Sequence, residues 1–204
     1  MADFTAKDVQ GLRKETGAGM MDAKNALSET GGDMDRARDL LREKGIAKAD
    51  KRSSRDQGEG AVGVYMHVQA GRPVIGVLVG LASETDFVAK SDDFLQTAND
   101  IAMHAAAARP QWLSREDVPL DAIAKEKELI AAEARNEGKP DAIVEKIVEG
   151  RINSFYKENV LLDQVFVRSE RFEGTVGELV QELAIKMGEN ISIEKMARVE
   201  IGEG

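Results

Sequence analysis

Hydrophobic positions in the first forty-five residues recur at helical spacing in three short runs, each closed by glycine. Thr5 and Asp8 have the spacing of a capping box, and Phe4 can staple against Val9 across it. Val9 and Leu12 carry the apolar face on until Gly17-Ala18-Gly19 stops it. A second helix is predicted from about Met20 to Glu29, with Met20, Ala23 and Leu27 facing inward and Gly31-Gly32 breaking it. Asp33 caps a third, whose inward residues are Met34, Ala37, Leu40 and Leu41 and which ends at Gly45. Residues 1–45 thus read as a three-helix bundle, small enough to be marginal alone because little surface can be buried. From Ile46 to Gly60 the periodicity gives way to charge, Ser and Gly, an exposed linker that is helical at most where it leaves the bundle.

At residue 61 the period changes from helical to two. Val62, Val64, Met66 and Val68 alternate with Gly63, Tyr65, His67 and Gln69, which predicts a strand with one apolar face. Ala70-Gly71-Arg72-Pro73 is a turn, and Val74–Ala82 is apolar on both faces, as a central strand requires. Helices are predicted at about Asp93–Ala108, Leu120–Asn136, Asp141–Lys157 and Val176–Lys186, the middle two forming a hairpin near 120–157 around Gly138-Lys139-Pro140. Val165–Val167 is a short extended piece, and after Gly188-Glu189-Asn190 the alternation of Ile191, Ile193, Ala197, Val199 and Ile201 predicts a last strand. Residues 61–204 therefore read as an α+β core of about three antiparallel strands packed with helices.

Charge separates the same two regions. The net charge is −9 over 204 residues. Residues 1–60 hold 12 basic and 12 acidic side chains, so the whole surplus lies in 61–204. An acidic core argues against direct nucleic-acid binding, which needs a basic surface to release counterions. The absence of Cys removes disulfides, thiolate nucleophiles and zinc–cysteine sites together and fits a reducing compartment. The N-terminus has no basic and apolar leader pattern, and no apolar run approaches the ~18 residues of a membrane span, so a cytoplasmic protein without membrane contact is expected.

Motifs for covalent chemistry are missing. The sequence contains no GxxxxGK[ST] loop, no HExxH and no GxSxG. Gly17-Ala18-Gly19 lies between helices and lacks the third glycine of a dinucleotide fingerprint. His67 and His104 are the only histidines, which disfavours a histidine metal site, and His104 falls on the flank of its helix's apolar stripe, half-exposed. Acid pairs such as Asp92-Asp93 sit where carboxylates complement helix dipoles.

Two stretches are harder to read as packing. Met20 and Met21 point in directions about 100° apart, so one packs while the other lies at the surface, either on a partly covered rim or in an interaction patch. Ser83–Lys90 follows the apolar strand, Ser83 and Asp86 have cap-like spacing, and Phe87 either plugs the strand-to-helix junction or is presented there as a functional group.

The residues themselves carry a resemblance. Thr16–Leu27 (TGAGMMDAKNAL) in a small helical bundle and Thr85–Lys90 (TDFVAK) after a strand resemble the elongation factor Ts family, exchange factors for the translational GTPase elongation factor Tu. The likeness continues in order through Ile101–Ala107, Lys139–Arg151, Thr175–Leu179, Met187–Asn190 and Ala197–Gly204. It implies that the N-terminal bundle is a ubiquitin-associated-like domain that docks on the GTPase, with Arg13, Met20, Met21 and Lys24 at contact positions. It implies further that Asp86 and Phe87 intrude beside the magnesium site, with Phe87 inserting between two helices, and that His104, Val167, Met187 and Gly188 make further contacts. Met187 stands where some relatives carry isoleucine, and Arg168 where some carry methionine. No cofactor is implied, since GDP, GTP and magnesium belong to the GTPase.

Longer family members carry two related core subdomains and an inserted coiled coil. This chain resembles the short form with one core, which implies a homodimer and a 2:2 complex with elongation factor Tu. Two other classes stay open at this stage: an adaptor that binds through the bundle and oligomerises through the core, and an enzyme of a kind that leaves no local motif.

Overall fold

The computed structural model describes residues 4–202, so the last two residues of the closing Ala197–Gly204 string lie outside the described residues. In chain order α1 (Ala6–Thr16), α2 (Met20–Glu29) and α3 (Met34–Asp50) precede β1 (Glu59–Gln69) and β2 (Arg72–Ser83). Then come α4 (Asp86–Ala89), α5 (Asp92–Ala108), α6 (Leu120–Asn136), α7 (Asp141–Asn159), α8 (Val176–Met187) and β3 (Ser192–Glu200). The three strands form one antiparallel sheet in the order β1-β2-β3, the α+β architecture the periodicities predict. No helix among the described residues is long and apolar enough to cross a membrane.

By contact the chain groups into two units. One comprises Met1–Gly60, Ala82–Ser91 and Gln181–Ser192; the other comprises Ala61–Leu81, Asp92–Val180 and Ile193–Gly204. The first is built on the helical bundle, where Val9, Leu12, Ala23, Ala26, Leu27, Ala37 and Leu41 form the core, flanked by Phe4, Ala18, Met34 and Leu40. The capping box opens α1: Thr5 N donates to Asp8 Oδ2 at 2.7 Å and Asp8 N to Thr5 Oγ1 at 3.3 Å. Asp33 accepts from Arg36 N at 3.0 Å and starts α3. That helix does not end at Gly45 but continues to Asp50. Gly45 is buried, and a Cβ there would lie 2.9 Å from Ile185 Cγ2. The glycine is a close-packing position, and the helix tolerates its propensity cost of about 1 kcal/mol.

In the second unit the odd positions of β2 (Val77, Val79, Leu81) are buried, as are Phe94, Ala98, Ile101, Ala102 and Ala105 of α5. Gly63 of β1 lies directly against α5: a Cβ would fall 2.1 Å from Ala98 O, and Val64 N donates to Asn99 Oδ1 at 2.9 Å. Only glycine permits that approach, so the Gly63 side of β1 is the one that meets the helix. The alternating Val62, Val64, Met66 and Val68 consequently face away from the helices and are all exposed. Ile201 N donates to Val74 O and Lys195 lies against Gly80, which sets Val199 level with Gly76, itself beside Met66 Sδ. One face of the sheet therefore presents β1's four apolar residues with Leu78 and Val199 to solvent. Ile130, Ala134, Val144 and Ile152 are the buried positions of the hairpin formed by α6 and α7.

Candidate functional site

Arg13 in the last turn of α1 and Lys24 in α2 are exposed. Met20 and Met21 open α2 after the extended Gly19 and are 50% and 63% exposed. The expected inward position of Met20 is not found. Ala23, Ala26 and Leu27 supply the buried face of α2, and the helix begins before it reaches the edge of the bundle core. Two flexible thioethers thus stand side by side in solvent, a surface that adapts its shape to a partner.

The second group is the turn after β2. Its cap is Thr85 rather than Ser83: Thr85 Oγ1 accepts from Val88 N at 3.4 Å, while the buried Ser83 donates to Thr85 O at 3.1 Å. Four residues of helix follow, anchored by the buried Ala89. Phe87 plugs nothing, being 84% exposed. Beside it Asp86 accepts from Lys90 Nζ at 2.6 Å. That bond and the ammonium charge hold the Asp86 carboxyl below its ordinary pKa and raise that of Lys90.

The Met187-Gly188 turn ends α8. Gly188 has φ +74°, which a side chain disfavours, and its N–H donates to Ala184 O at 3.0 Å. The next two residues bind the Phe87 turn. Glu189 Oε2 accepts from Glu84 N and Thr85 N, each at 3.1 Å, and Oε1 accepts from Thr85 Oγ1 at 2.5 Å. In return Glu84 Oε1 accepts from Asn190 N at 2.6 Å, and this bond, then Arg55, lowers the Glu84 pKa. Asn190 Nδ2 donates to Ser53 O at 3.2 Å and to Arg55 O at 2.9 Å.

His104 differs from the half-exposed helix position expected. It is fully buried, stacked on Phe166 with ring centroids 5.8 Å apart. Val167 N donates to Nδ1 at 3.2 Å, so Nδ1 is the unprotonated nitrogen and Nε2 carries the hydrogen, donated to Gln164 Oε1 at 3.0 Å. Gln164 Nε2 donates onward to Ala108 O and Glu158 O at 3.2 and 2.7 Å. Every member is satisfied only if the imidazole is neutral, and burial lowers its pKa despite the opposing Gln164 bond. One turn earlier on α5, the buried Asp100 pairs with Arg168 at 3.0 Å and Arg171 at 2.8 Å. Together they fix the segment that leaves Val165 and Val167 exposed.

Eight of the ten expected contact residues, Arg13, Met20, Met21, Lys24, Asp86, Phe87, Met187 and Gly188, fall in the first unit, and His104 and Val167 fall in the second. The side chains that fix the Phe87 turn and the Val167 segment (Glu84, Glu189, Asn190, Gln164 and Asp100) carry no motif of their own in the sequence. Their one signal is that Glu84, Glu189 and Asn190 lie within the strings Ser83–Lys90 and Met187–Asn190. Among the described residues no cluster of His, Cys, Asp and Glu is placed to hold a metal.

Comparison with known proteins identifies the family. The family described as elongation factor TS matches residues 43–203. Elongation factor Ts of Desulforamulus reducens is 51% identical over 204 residues, covering 100% of this chain and 92% of the relative. The protein of the same name from Syntrophomonas wolfei is 52% identical over 201 residues (98% and 92% covered), and that from Moorella thermoacetica 49% over 201 residues (98% and 97%). With half of all positions identical along the whole described fold, the chain belongs to the elongation factor Ts family.

Proposed function

We propose that this chain is a cytoplasmic guanine-nucleotide exchange factor for elongation factor Tu, which binds the GDP form, disturbs its magnesium and phosphate site and releases GDP so that GTP can rebind. Membership of the family supports the exchange role. The observation that carries the finer mechanism is Phe87, a large apolar side chain exposed on a short turn that is bonded on both sides. Leaving an aromatic in water forgoes about 1.5–3 kcal/mol of burial, a cost offset when the ring enters a partner. A wedge of this kind acts by differential binding. A factor that prefers the nucleotide-free GTPase weakens nucleotide affinity by the same factor, and no group on the chain has to react. Asp86 adds a negative charge where a metal's charge is to be unsettled.

In this reading residues 1–45 dock on the GTPase through Arg13, Met20, Met21 and Lys24, residues 46–60 link, and residues 61–204 form the core. Val167, held by His104, and the Met187-Gly188 turn complete the contact. The uncovered sheet face supports the homodimer: a strip of six exposed apolar side chains is self-complementary about a two-fold axis, and a second copy would bury it. Two such chains then carry two GTPases.

Release of labelled GDP from elongation factor Tu tests the exchange reading; strong acceleration by the chain is expected, and an unaltered rate would overturn it. Sedimentation tests the dimer. A species of twice the chain mass is expected, reduced to a monomer by the pair Val64→Asp and Met66→Lys, and a wild-type monomer contradicts it.

A further inference from the structure

The turn that carries Phe87 is too short to hold itself. A single helical turn fixes more dihedral angles than it gains hydrogen bonds, and nucleation is unfavourable without outside contacts. Thr85 supplies one cap bond, a long one of 3.4 Å to Val88 N. Ser83 Oγ on Thr85 O and Lys90 on Asp86 add local bonds, and the long-range restraint comes from a residue more than a hundred positions away. The Glu189 carboxylate accepts from two successive backbone N–H groups, Glu84 and Thr85, and from the Thr85 hydroxyl. Since the Thr85 hydroxyl donates its hydrogen to Glu189, its lone pairs are left for Val88 N–H, so Glu189 sets the cap as well as the backbone entering it. Asn190 closes the clamp from the other side, its N–H held by Glu84 and its amide anchored on Ser53 and Arg55 carbonyls. All of these groups belong to the first unit.

We infer that Glu189 is a positioning residue for exchange: it fixes the direction in which Phe87 leaves the surface, without touching the GTPase through its own carboxylate. The inference rests on the exchange reading and assigns it a residue outside the expected contacts. An exposed ring free to swing would spend most encounters misdirected, whereas one on a fixed turn arrives oriented.

A double-mutant cycle on labelled GDP release tests this, using wild type, Glu189→Ala, Phe87→Ala and the double variant in the full chain. Glu189→Ala is expected to slow factor-driven release roughly tenfold, within the range that misplacing a working group costs. In the Phe87→Ala background the same substitution should change the rate less than twofold, because the ring it positions is gone. A loss of equal size in both backgrounds, or no loss in the wild-type background, overturns the inference. Glu189→Gln, which keeps one acceptor, should recover part of the rate, and it replaces Glu189→Ala in the cycle if that variant unfolds. Hydrogen exchange at the Val88 amide separates the two readings. Glu189→Ala should raise it at unchanged global stability. Unchanged protection overturns the positioning role even if wild type fails to release GDP, an outcome that would sink only the exchange reading.

Discussion

The family resemblance implies the same task for Phe87 and His104, contact with a partner, yet one is almost wholly in water and the other wholly out of it. The Phe87 turn presents its side chain on groups that are themselves half-buried; the His104 helix hides its side chain and uses it to aim a neighbour's backbone. Contact positions inferred by resemblance therefore mix two physical kinds. Substitution of the first kind should cost binding and leave the fold alone. Substitution of the second should cost the fold first and binding as a consequence.

The sharpest way to break this distinction is stability. His104→Ala removes a stacked ring and strands Val167 N–H and Gln164 Oε1, so it should destabilise the chain by about 2–4 kcal/mol in denaturant titration. Phe87→Ala should stay within about 0.5 kcal/mol of wild type, as exposed substitutions do. Equal losses would erase the contrast.

A smaller effect separates the two regions by pH. The folded pKa of His104 is lowered from the ordinary 6.5. Above 6.5 the ring is neutral in both states and contributes no slope. Below it the unfolded chain takes up a proton that the folded chain refuses, so stability falls as pH drops from about 6.5 toward the folded pKa and levels off beneath it. Thermal denaturation from pH 7.5 to 5.5 should show this decline. His104→Gln, less stable throughout, should show a flatter one, and an unchanged slope would mean that His104 is not the group titrating.

The smallest expected effect belongs to the bundle. Met20→Ala and Met21→Ala should each weaken binding to elongation factor Tu by roughly fivefold, the loss of one peripheral apolar contact, with the melting temperature unmoved. A drop in melting temperature for Met20→Ala would return that residue to the core.

Much of this was legible in the residues. The capping box of Thr5 and Asp8, the Asp33 cap and the change of period at residue 61 led directly to observed elements, because each rests on contacts within a few residues. What escaped depends on distant partners. Gly45 reads as a helix stop until Ile185 packs on it, and the apolar alternation of β1 does not say which face meets the helices, since Gly63 settles that by admitting Ala98. His104 looks half-exposed on its own helix, but the segment that covers it arrives sixty residues later. Glu189 looks like an ordinary turn carboxylate until the strand end bearing Glu84 and Thr85 is brought to it.

The central claim, that this chain works by inserting Phe87 rather than by reacting, is tested most directly by stopped-flow release of fluorescent GDP from elongation factor Tu with wild type and Phe87→Ala in parallel. The account predicts rapid release with wild type and a loss of at least tenfold with Phe87→Ala at unchanged thermal stability. Equal release rates with the two proteins would contradict it.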